Sequence, residues 1–343
     1  MNETISNKIL KTLPKGAKLP SGIKFNETDD GLEMILTMTA IGKATERKKN
    51  LNMQNDAAAF EGWAVIIYSH YVKSLKEGNK KIILKVENEL KSKEDVDFSR
   101  TQGHYHRFLY RAMRFSEQYQ EWFCLDANLK GIIDIFRRYF EKESFVNNYP
   151  SAKKSNSIDQ FNGSVTTESD VERYFVCNDT EKKRLLKKSG LTTENLFRQL
   201  PVGLFKGKKE AKNSLFTGGK SAIDLWAIDE EQIAIFEIKT RNKMVGIISE
   251  LFFYSNYVND VFVKDNRITF YKGYNLDTDI DIRGYNLLNQ NNKNRLIAAY
   301  FLTDALHPLI NKQVIDLLNE SKEKKIKYGS ISYNFTLKAE IVD

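Results

Sequence analysis

The stretch Ser221–Thr240 limits the possible folds more than any other part of the sequence, because two apolar runs flank a short acidic segment. The runs are Ala222–Ile228 and Ile233–Ile238, both rich in isoleucine, and Asp229–Gln232 separates them. Apolar, β-branched runs joined by a short polar turn predict a β-hairpin. We therefore predict that a hairpin with a charged tip lies at the centre of the fold.

Three charged residues interrupt these apolar strands: Asp224, Glu237 and Lys239. If the turn is centred between Glu230 and Glu231, Asp224 and Glu237 face each other across the hairpin, with Cβ atoms about 5 Å apart. Lys239 shares the face of Glu237, because side chains two positions apart on a strand point the same way. Charges in buried strands are costly unless they are paired or bind a metal, so these residues predict a functional site.

The chemistry of such a site follows from its charges. Two facing carboxylates repel each other, and one of them would be driven to bind a proton unless a cation lies between them. Hard oxygen ligands at this spacing suit Mg²⁺ that keeps several of its waters, with Mn²⁺ as a substitute. The adjacent lysine would then orient or polarise one of those waters. The alternative is a strand pair that carries its charges on a solvated face.

The pattern D-x12-E-x-K across a β-hairpin resembles the catalytic signature of the PD-(D/E)XK nuclease superfamily. Asp224, Glu237 and Lys239 match its three positions, and Ile223 stands where the name-giving pattern has proline. The resemblance covers residues from about 160 to the end of the chain. It implies an α/β fold, a restriction-endonuclease-like α/β/α sandwich with a mixed sheet, next to an α-rich mixed N-terminal domain.

The resemblance also implies an activity, namely magnesium-dependent hydrolysis of DNA by a restriction or phage-defence endonuclease. Asp224, Glu237 and the main-chain carbonyl of Ile238 would bind the metal, and Lys239 would position the attacking water. In this superfamily a helix ahead of the first core strand often supplies another acid. Glu194 is the candidate, on a short helix capped by Thr192 or Thr193 and closed by Pro201, with Glu210 as a substitute. An acid in a first helical turn also complements the helix dipole without any catalytic role.

Basic residues near the hairpin are candidates for contact with the phosphates of DNA. They lie on a loop expected close to the metal site and at the entry to the hairpin: Lys206, Lys208, Lys209, Lys212 and Lys220. Tyr254, on a helix predicted for Val245–Phe262, is added by resemblance to the superfamily. An ordinary solvated charge run remains the alternative for the lysines.

The N-terminal half offers a second set of candidate DNA contacts. A helix predicted for His104–Tyr119 carries Arg107, Arg111 and Arg114 at helical spacing, with tyrosines between them. Such a row could follow a phosphate backbone, or it could be a solvated basic face. We predict an N-terminal module (residues 1–147), a linker (148–158) and a nuclease-like domain (159–343).

Composition sets the remaining limits. The 343 residues allow two domains, the net charge of +8 is compatible with a polyanionic partner, and the two cysteines stand far apart, as expected for a cytoplasmic protein. Neither a signal peptide nor a membrane-spanning run is expected. A homodimer is compatible with cutting both strands of DNA.

One motif points elsewhere and is set aside. S-L-F-T-G-G-K-S, residues 214–221, differs from a P-loop only at its first glycine, but a strand rather than a helix follows it. We therefore expect no nucleoside triphosphate, and we expect Gly218-Gly219 to turn the chain between two strands. The competing functions are a non-cleaving nucleic-acid-binding or assembly protein on the same fold and an RNA-directed nuclease.

Overall fold

The computed structural model describes residues 3–44, 49–75, 80–99, 101–150, 161, 163–241, 244–264, 268–269, 284–289, 291–335 and 339–342, with only the backbone at 218–220, 335 and 340. Helices and mixed sheets make up the fold, which confirms the general α/β class. Within these residues no helix combines the length and the apolar character needed to cross a bilayer.

Secondary-structure elements are numbered in chain order within the described residues. The α-helices are α1 (Ile5–Thr12), α2 (Phe60–His70), α3 (Gly103–Gln118), α4 (Ala127–Lys142), α5 (Glu168–Cys177), α6 (Asp179–Lys188), α7 (Gly246–Val258) and α8 (Lys312–Asn319). The strands are β1 (Ile23–Thr28), β2 (Gly31–Leu36), β3 (Lys81–Val86), β4 (Phe123–Leu125), β5 (Phe145–Asn147), β6 (Phe197–Lys206), β7 (Ser214–Ile228), β8 (Gln232–Lys239), β9 (Ile268–Thr269), β10 (Leu296–Thr303), β11 (Ile326–Phe335) and β12 (Ala339–Ile341).

The chain divides into two compact units. The first comprises Met1–Glu143, Met244–Phe252 and His307–Glu323, and the second comprises the rest of the chain. The sequence predicted a linear division into 1–147 and 159–343. It did not predict that the chain returns to the first unit twice, at Met244–Phe252 and at His307–Glu323. Residues 145–147 also differ from that division, because they form strand β5 in the sheet of the second unit. Most of the predicted linker, from 151 onward, lies outside the described residues.

The first unit contains a four-stranded sheet in the order β1-β2-β3-β4, in which β2, β3 and β4 run parallel. Helix α2 is buried along most of its length, since Phe60 to Ile67 are all inaccessible to solvent. Aromatic rings from α2, α3 and β4 meet at Phe115, whose ring stands edge-on to those of Phe60 and Phe123. The prediction of an α-rich mixed module did not include a sheet of this size.

The second unit contains an eight-stranded sheet in the order β12-β11-β10-β8-β7-β6-β5-β9. Strands β6, β7 and β8 are antiparallel neighbours, whereas β8, β10 and β11 run parallel. Leu225, Phe236 and Leu302 belong to one buried cluster together with Phe175 of α5 and Leu185 of α6. Helices α5 and α6 therefore cover one face of this sheet.

The central hairpin has the predicted register. Strands β7 and β8 pair from Leu225–Phe236 at one end to Ile228–Ile233 at the tip, which confirms a turn centred between Glu230 and Glu231. Asp229 closes the turn, because its Oδ1 accepts hydrogen bonds from the main-chain N–H groups of Glu231 and Gln232, both at 2.9 Å.

Two predictions beside the hairpin are wrong. No helix closes at Pro201, which instead lies inside β6 and pairs with Ala222 of β7. A proline is tolerated at this point because, among the described residues, β5 pairs with β6 only at residues 204–206 and no strand pairs with that side of Pro201. Gly218 and Gly219 belong to β7 and do not form its entry turn. The P-loop-like segment is thus the first part of a strand.

Candidate active site

The candidate site lies where the parallel pairing of β8, β10 and β11 ends. Lys239 of β8 stands beside Thr303 of β10, which stands beside Ser332 of β11. Carboxyl ends of neighbouring parallel strands meet at one sheet edge, where α/β proteins commonly place their ligand sites. The Lys239 end of the hairpin is therefore the candidate functional end, and the acidic tip lies at the opposite end.

Asp224 continues the hairpin contacts at this edge with its side chain. Main-chain pairing between β7 and β8 ends at Leu225–Phe236. Asp224 Oδ2 accepts a hydrogen bond of 2.8 Å from the main-chain N–H of Ile238. This bond ties the half-buried carboxylate to the residue between Glu237 and Lys239.

Glu237 and Lys239 form a buried ion pair. The Lys239 Nζ lies 2.8 Å from Glu237 Oε1. The side chain of Lys239 is 7% exposed and that of Glu237 is 3% exposed. Removing two charges from water costs several kcal/mol per ion before their attraction is counted. Their position at the carboxyl end of β8, beside Asp224, makes Glu237 and Lys239 candidates for a function.

Glu168 adds a third carboxylate that the sequence prediction did not assign. It is the first residue of α5, its Oε2 lies 3.9 Å from Lys239 Nζ, and its Oε1 accepts a 3.4 Å hydrogen bond from the N–H of Thr240. The signal for it was present in T-T-E-S-D, because Thr167 and Asp170 form a capping box that fixes the helix start at Glu168.

Glu194, the predicted fourth acid, lies elsewhere. It is exposed in the irregular segment between α6 and β6. Thr192, proposed as a helix cap, instead donates its N–H to Asp229 at the tip of the hairpin, at 3.0 Å. Asp229 is five residues from Asp224 along β7, about 16 Å in a strand. Glu168 thus takes the place predicted for Glu194, and the substitute Glu210 pairs with Lys212 in the turn between β6 and β7.

The lysine loop also lies away from the carboxylates. Lys206 ends β6, and Lys208, Lys209 and Lys212 occupy the turn before β7, whose first residue is ten positions ahead of Asp224. Phe205 of β6 pairs with Ser214 and Leu200 of β6 pairs with Ile223, so the start of β7 lies about 16 Å from the neighbour of Asp224. These placements correct the prediction that the loop lies close to the metal site.

Lys209 has a local role in that turn. Its Nζ lies 3.8 Å from the centre of the Tyr149 ring and bonds to the Tyr149 carbonyl, and burial lowers the pKa of its ammonium group. Lys206 and Lys208 are exposed. The side chain of Lys220 lies outside the described residues.

The three arginines of α3 are not an exposed basic face, although α3 itself lies where the sequence predicted it. Arg111 is buried and makes an ion pair with Glu61. Arg107 is also buried and donates to Asn52 Oδ1 at 3.1 Å. Arg114 bonds to a glutamate one turn further along the helix, at 2.8 Å. Burial corrects the prediction of phosphate contacts for Arg107 and Arg111, whereas Arg114 is partly exposed in its pair with the glutamate.

Tyr254 is likewise not an exposed contact. Helix α7 confirms the helical prediction for this stretch, but the Tyr254 side chain is buried, with 5% of its surface accessible. A side chain so enclosed has no surface for DNA to contact, which corrects its assignment as a DNA-contacting residue.

A divalent metal ion fits the donor set at the sheet edge. In the described part of the chain, no three His, Cys, Asp or Glu side chains converge into a ready metal cluster. Mg²⁺ does not need one, because it commonly binds through one or two carboxylates and keeps its waters. Glu168, Asp224 and Glu237 place three carboxylates around the single ammonium group of Lys239. Carboxylate oxygens are the ligands that a divalent cation such as Mg²⁺ prefers.

The start of α5 yields a prediction that does not depend on function. Hydrogen bonds from Thr166 and Thr167 hold the pKa of Asp170 down to about 2. A lowered carboxyl pKa stabilises the fold above the unfolded value and loses that effect as the pH falls toward 2. We expect Asp170→Ala to lower the free energy of unfolding by about 1 kcal/mol at pH 7, as for other helix caps. In urea titrations the difference from wild type should shrink between pH 4 and 2, and a constant difference would contradict this origin.

The residues of this edge carry the functional assignment by themselves: no family model, no curated protein and no solved structure matches the chain at a significant level.

Proposed function

We propose that the protein is a magnesium-dependent endodeoxyribonuclease of the PD-(D/E)XK type, with its second unit as a restriction-endonuclease-like α/β/α sandwich. One observation carries the proposal: the buried Glu237–Lys239 pair, with Asp224 bonded to the residue between them, at the carboxyl ends of parallel strands. This is the arrangement that the D-x12-E-x-K pattern implies.

Each residue has a defined part in the proposed reaction. Asp224, Glu237 and the Ile238 carbonyl would hold Mg²⁺, with Mn²⁺ as a substitute. When bound, the metal would stabilise charge on the scissile phosphate and lower the pKa of a coordinated water. The ammonium of Lys239, a donor of three hydrogen bonds, would orient the attacking water. Glu168 would help to direct that ammonium group, since its carboxylate lies 3.9 Å away.

The proposal is tested first on substrates and metals. Purified protein would be incubated with supercoiled plasmid, linear duplex, single-stranded DNA and RNA, each with Mg²⁺, Mn²⁺ or EDTA. We expect cleavage of DNA with either metal and none with EDTA. Cleavage of RNA alone would favour an RNA-directed nuclease. Binding without cleavage of any substrate would reject the nuclease assignment in favour of a non-cleaving nucleic-acid-binding protein.

Two glutamate variants test which acid belongs to the site. We expect Glu168→Gln to lower kcat by about ten- to a hundredfold, because the amide no longer balances the Lys239 charge. Glu194→Gln is the matched control and should keep wild-type kcat, since Glu194 is exposed two residues after Thr192, which bonds to Asp229 at the hairpin tip. Single-turnover cleavage of a labelled duplex measures both. The reverse order of effects would restore Glu194 to the site.

A further inference from the structure

Tyr333 contacts the main chain at the candidate site from a strand that does not adjoin β8. The row Lys239–Thr303–Ser332 is the last one paired across β8, β10 and β11, and β10 ends at Thr303. Tyr333 is the next residue of β11 and is 1% exposed. Its Oη lies 3.1 Å from the Lys239 carbonyl oxygen and 2.6 Å from Thr240 Oγ1. The side chain therefore reaches past the end of β10 to β8.

The direction of these hydrogen bonds follows from the donors available. A phenol carries one hydrogen, and a carbonyl oxygen only accepts. Tyr333 must therefore donate to Lys239, and the hydroxyl of Thr240 must donate to Tyr333. Burial raises the pKa of Tyr333, the hydrogen bond with Thr240 opposes this, and the carboxylates of Asp304, Glu168 and Asp224 raise it again. The phenol therefore keeps its hydrogen at neutral pH.

Tyr333 is one of four groups that hold consecutive residues of this segment. Each tie comes from a different part of the second unit: Asp224 of β7 to the Ile238 N–H, Tyr333 of β11 to the Lys239 carbonyl, Glu168 of α5 to the Thr240 N–H, and Asp304, just after β10, to the Arg241 N–H.

Arg241, the last residue of the segment 238–241, is held in an unfavourable backbone conformation. Arg241 has a φ of 54°, in the left-handed region that side-chain-bearing residues seldom adopt. Its N–H donates to both carboxylate oxygens of Asp304, each at 3.2 Å. Strained backbone of this kind persists only where its surroundings over-determine it, and such places cluster at functional sites.

We propose that Tyr333 and Thr240 are positioning residues for the nuclease reaction: they fix the main chain of Lys239 so that its ammonium stays at Glu237 and Glu168. The inference rests on the proposed function and extends it to two residues outside the D-x12-E-x-K pattern. Neither residue touches the reacting atoms. Both act through Lys239, whose misplacement by even 1 Å would reduce the rate strongly.

The test compares tyrosine and threonine variants in the full chain. We expect Tyr333→Phe and Thr240→Val to lower kcat by about tenfold with KM changed less than about twofold, the signature of a lost transition-state contribution. Thr240→Ser keeps the hydroxyl and should restore kcat. Tyr300→Phe is the matched control, because Tyr300 in β10 donates to the Ser189 carbonyl at 3.1 Å, away from the site. It removes a comparable bond and should leave kcat unchanged.

Equal kcat values for Tyr333→Phe and Tyr300→Phe would overturn the inference, as would failure of Thr240→Ser to exceed Thr240→Val. Amide hydrogen exchange gives a readout without activity. Tyr333→Phe should speed exchange at residues 238–241 and leave the centre of β10 protected. If the wild-type protein cleaves nothing, the proposed function fails by itself. Unchanged exchange at 238–241 would then also reject the role of Tyr333 in holding this segment.

Discussion

Replacing Asp224 with asparagine is expected to lower kcat for metal-dependent cleavage by about a thousandfold or more. The change removes one negative charge and keeps the shape of the side chain, so the Ile238 N–H retains an oxygen acceptor. The sheet edge then has one carboxylate fewer to hold a divalent cation, and losses of this size are usual when a group that stabilises transition-state charge is removed. Single-turnover cleavage with saturating Mg²⁺ measures the effect.

The same hairpin supplies the control. Asp229→Asn makes an identical change at the tip, where the carboxylate holds the turn and the N–H of Thr192. We expect it to lower stability slightly and to leave kcat near wild type. Lys239→Met should match Asp224→Asn in effect. Full activity in either Asp224→Asn or Lys239→Met would remove these residues from the reaction.

The largest expected effect on stability is at Glu61. Its carboxylate is fully buried in the first unit, where it accepts a 2.6 Å hydrogen bond from Arg111 Nε and a 2.8 Å bond from Ser249 Oγ. Glu61→Ala would leave the buried guanidinium of Arg111 without its counter-charge. We expect the free energy of unfolding to fall by about 3–5 kcal/mol, the usual loss when one partner of a buried ion pair is removed. Urea denaturation followed by circular dichroism measures it.

Two further variants separate the cost of an unpaired buried charge from the cost of losing an ion pair as such. Replacing both Glu61 and Arg111 with methionine removes the unpaired charge, so the double variant should be more stable than Glu61→Ala. Asp316→Ala breaks the exposed pair with Lys312 and should change stability by less than about 1 kcal/mol. If Glu61→Ala cost no more than Asp316→Ala, the buried pair would contribute little to the fold.

Local pattern predicted the hairpin well. The two apolar runs predict the strands, and the short acidic turn between them sets their register. The same holds for α3 and α7, whose spacing of apolar residues is a local property. Asp224, Glu237 and Lys239 could therefore be brought together from numbering alone.

Long-range contacts were not predictable in this way. Glu168 and Tyr333 reach Lys239 from segments about seventy residues before it and ninety residues after it in the chain. No periodicity connects such positions. Helical spacing placed Arg111 on α3 correctly but could not show that its side chain points toward Glu61, because the partner lies on another helix. The prediction that Pro201 closes a helix was wrong for a related reason. Its place in β6 depends on where the pairing between β5 and β6 stops.

The two returns of the chain to the first unit have a practical consequence for dissecting the protein. Val245 and Leu251 in one returning segment, and Val314 and Leu317 in the other, are buried side chains of that unit. A fragment that begins near residue 159 would carry both segments without the surface that covers them, and exposed apolar patches of this kind promote aggregation. Such a fragment would also lack β5 and leave the edge of β6 open. Gene truncation at the apparent linker is therefore expected to yield insoluble protein, and each unit is best studied by point substitution within the intact chain.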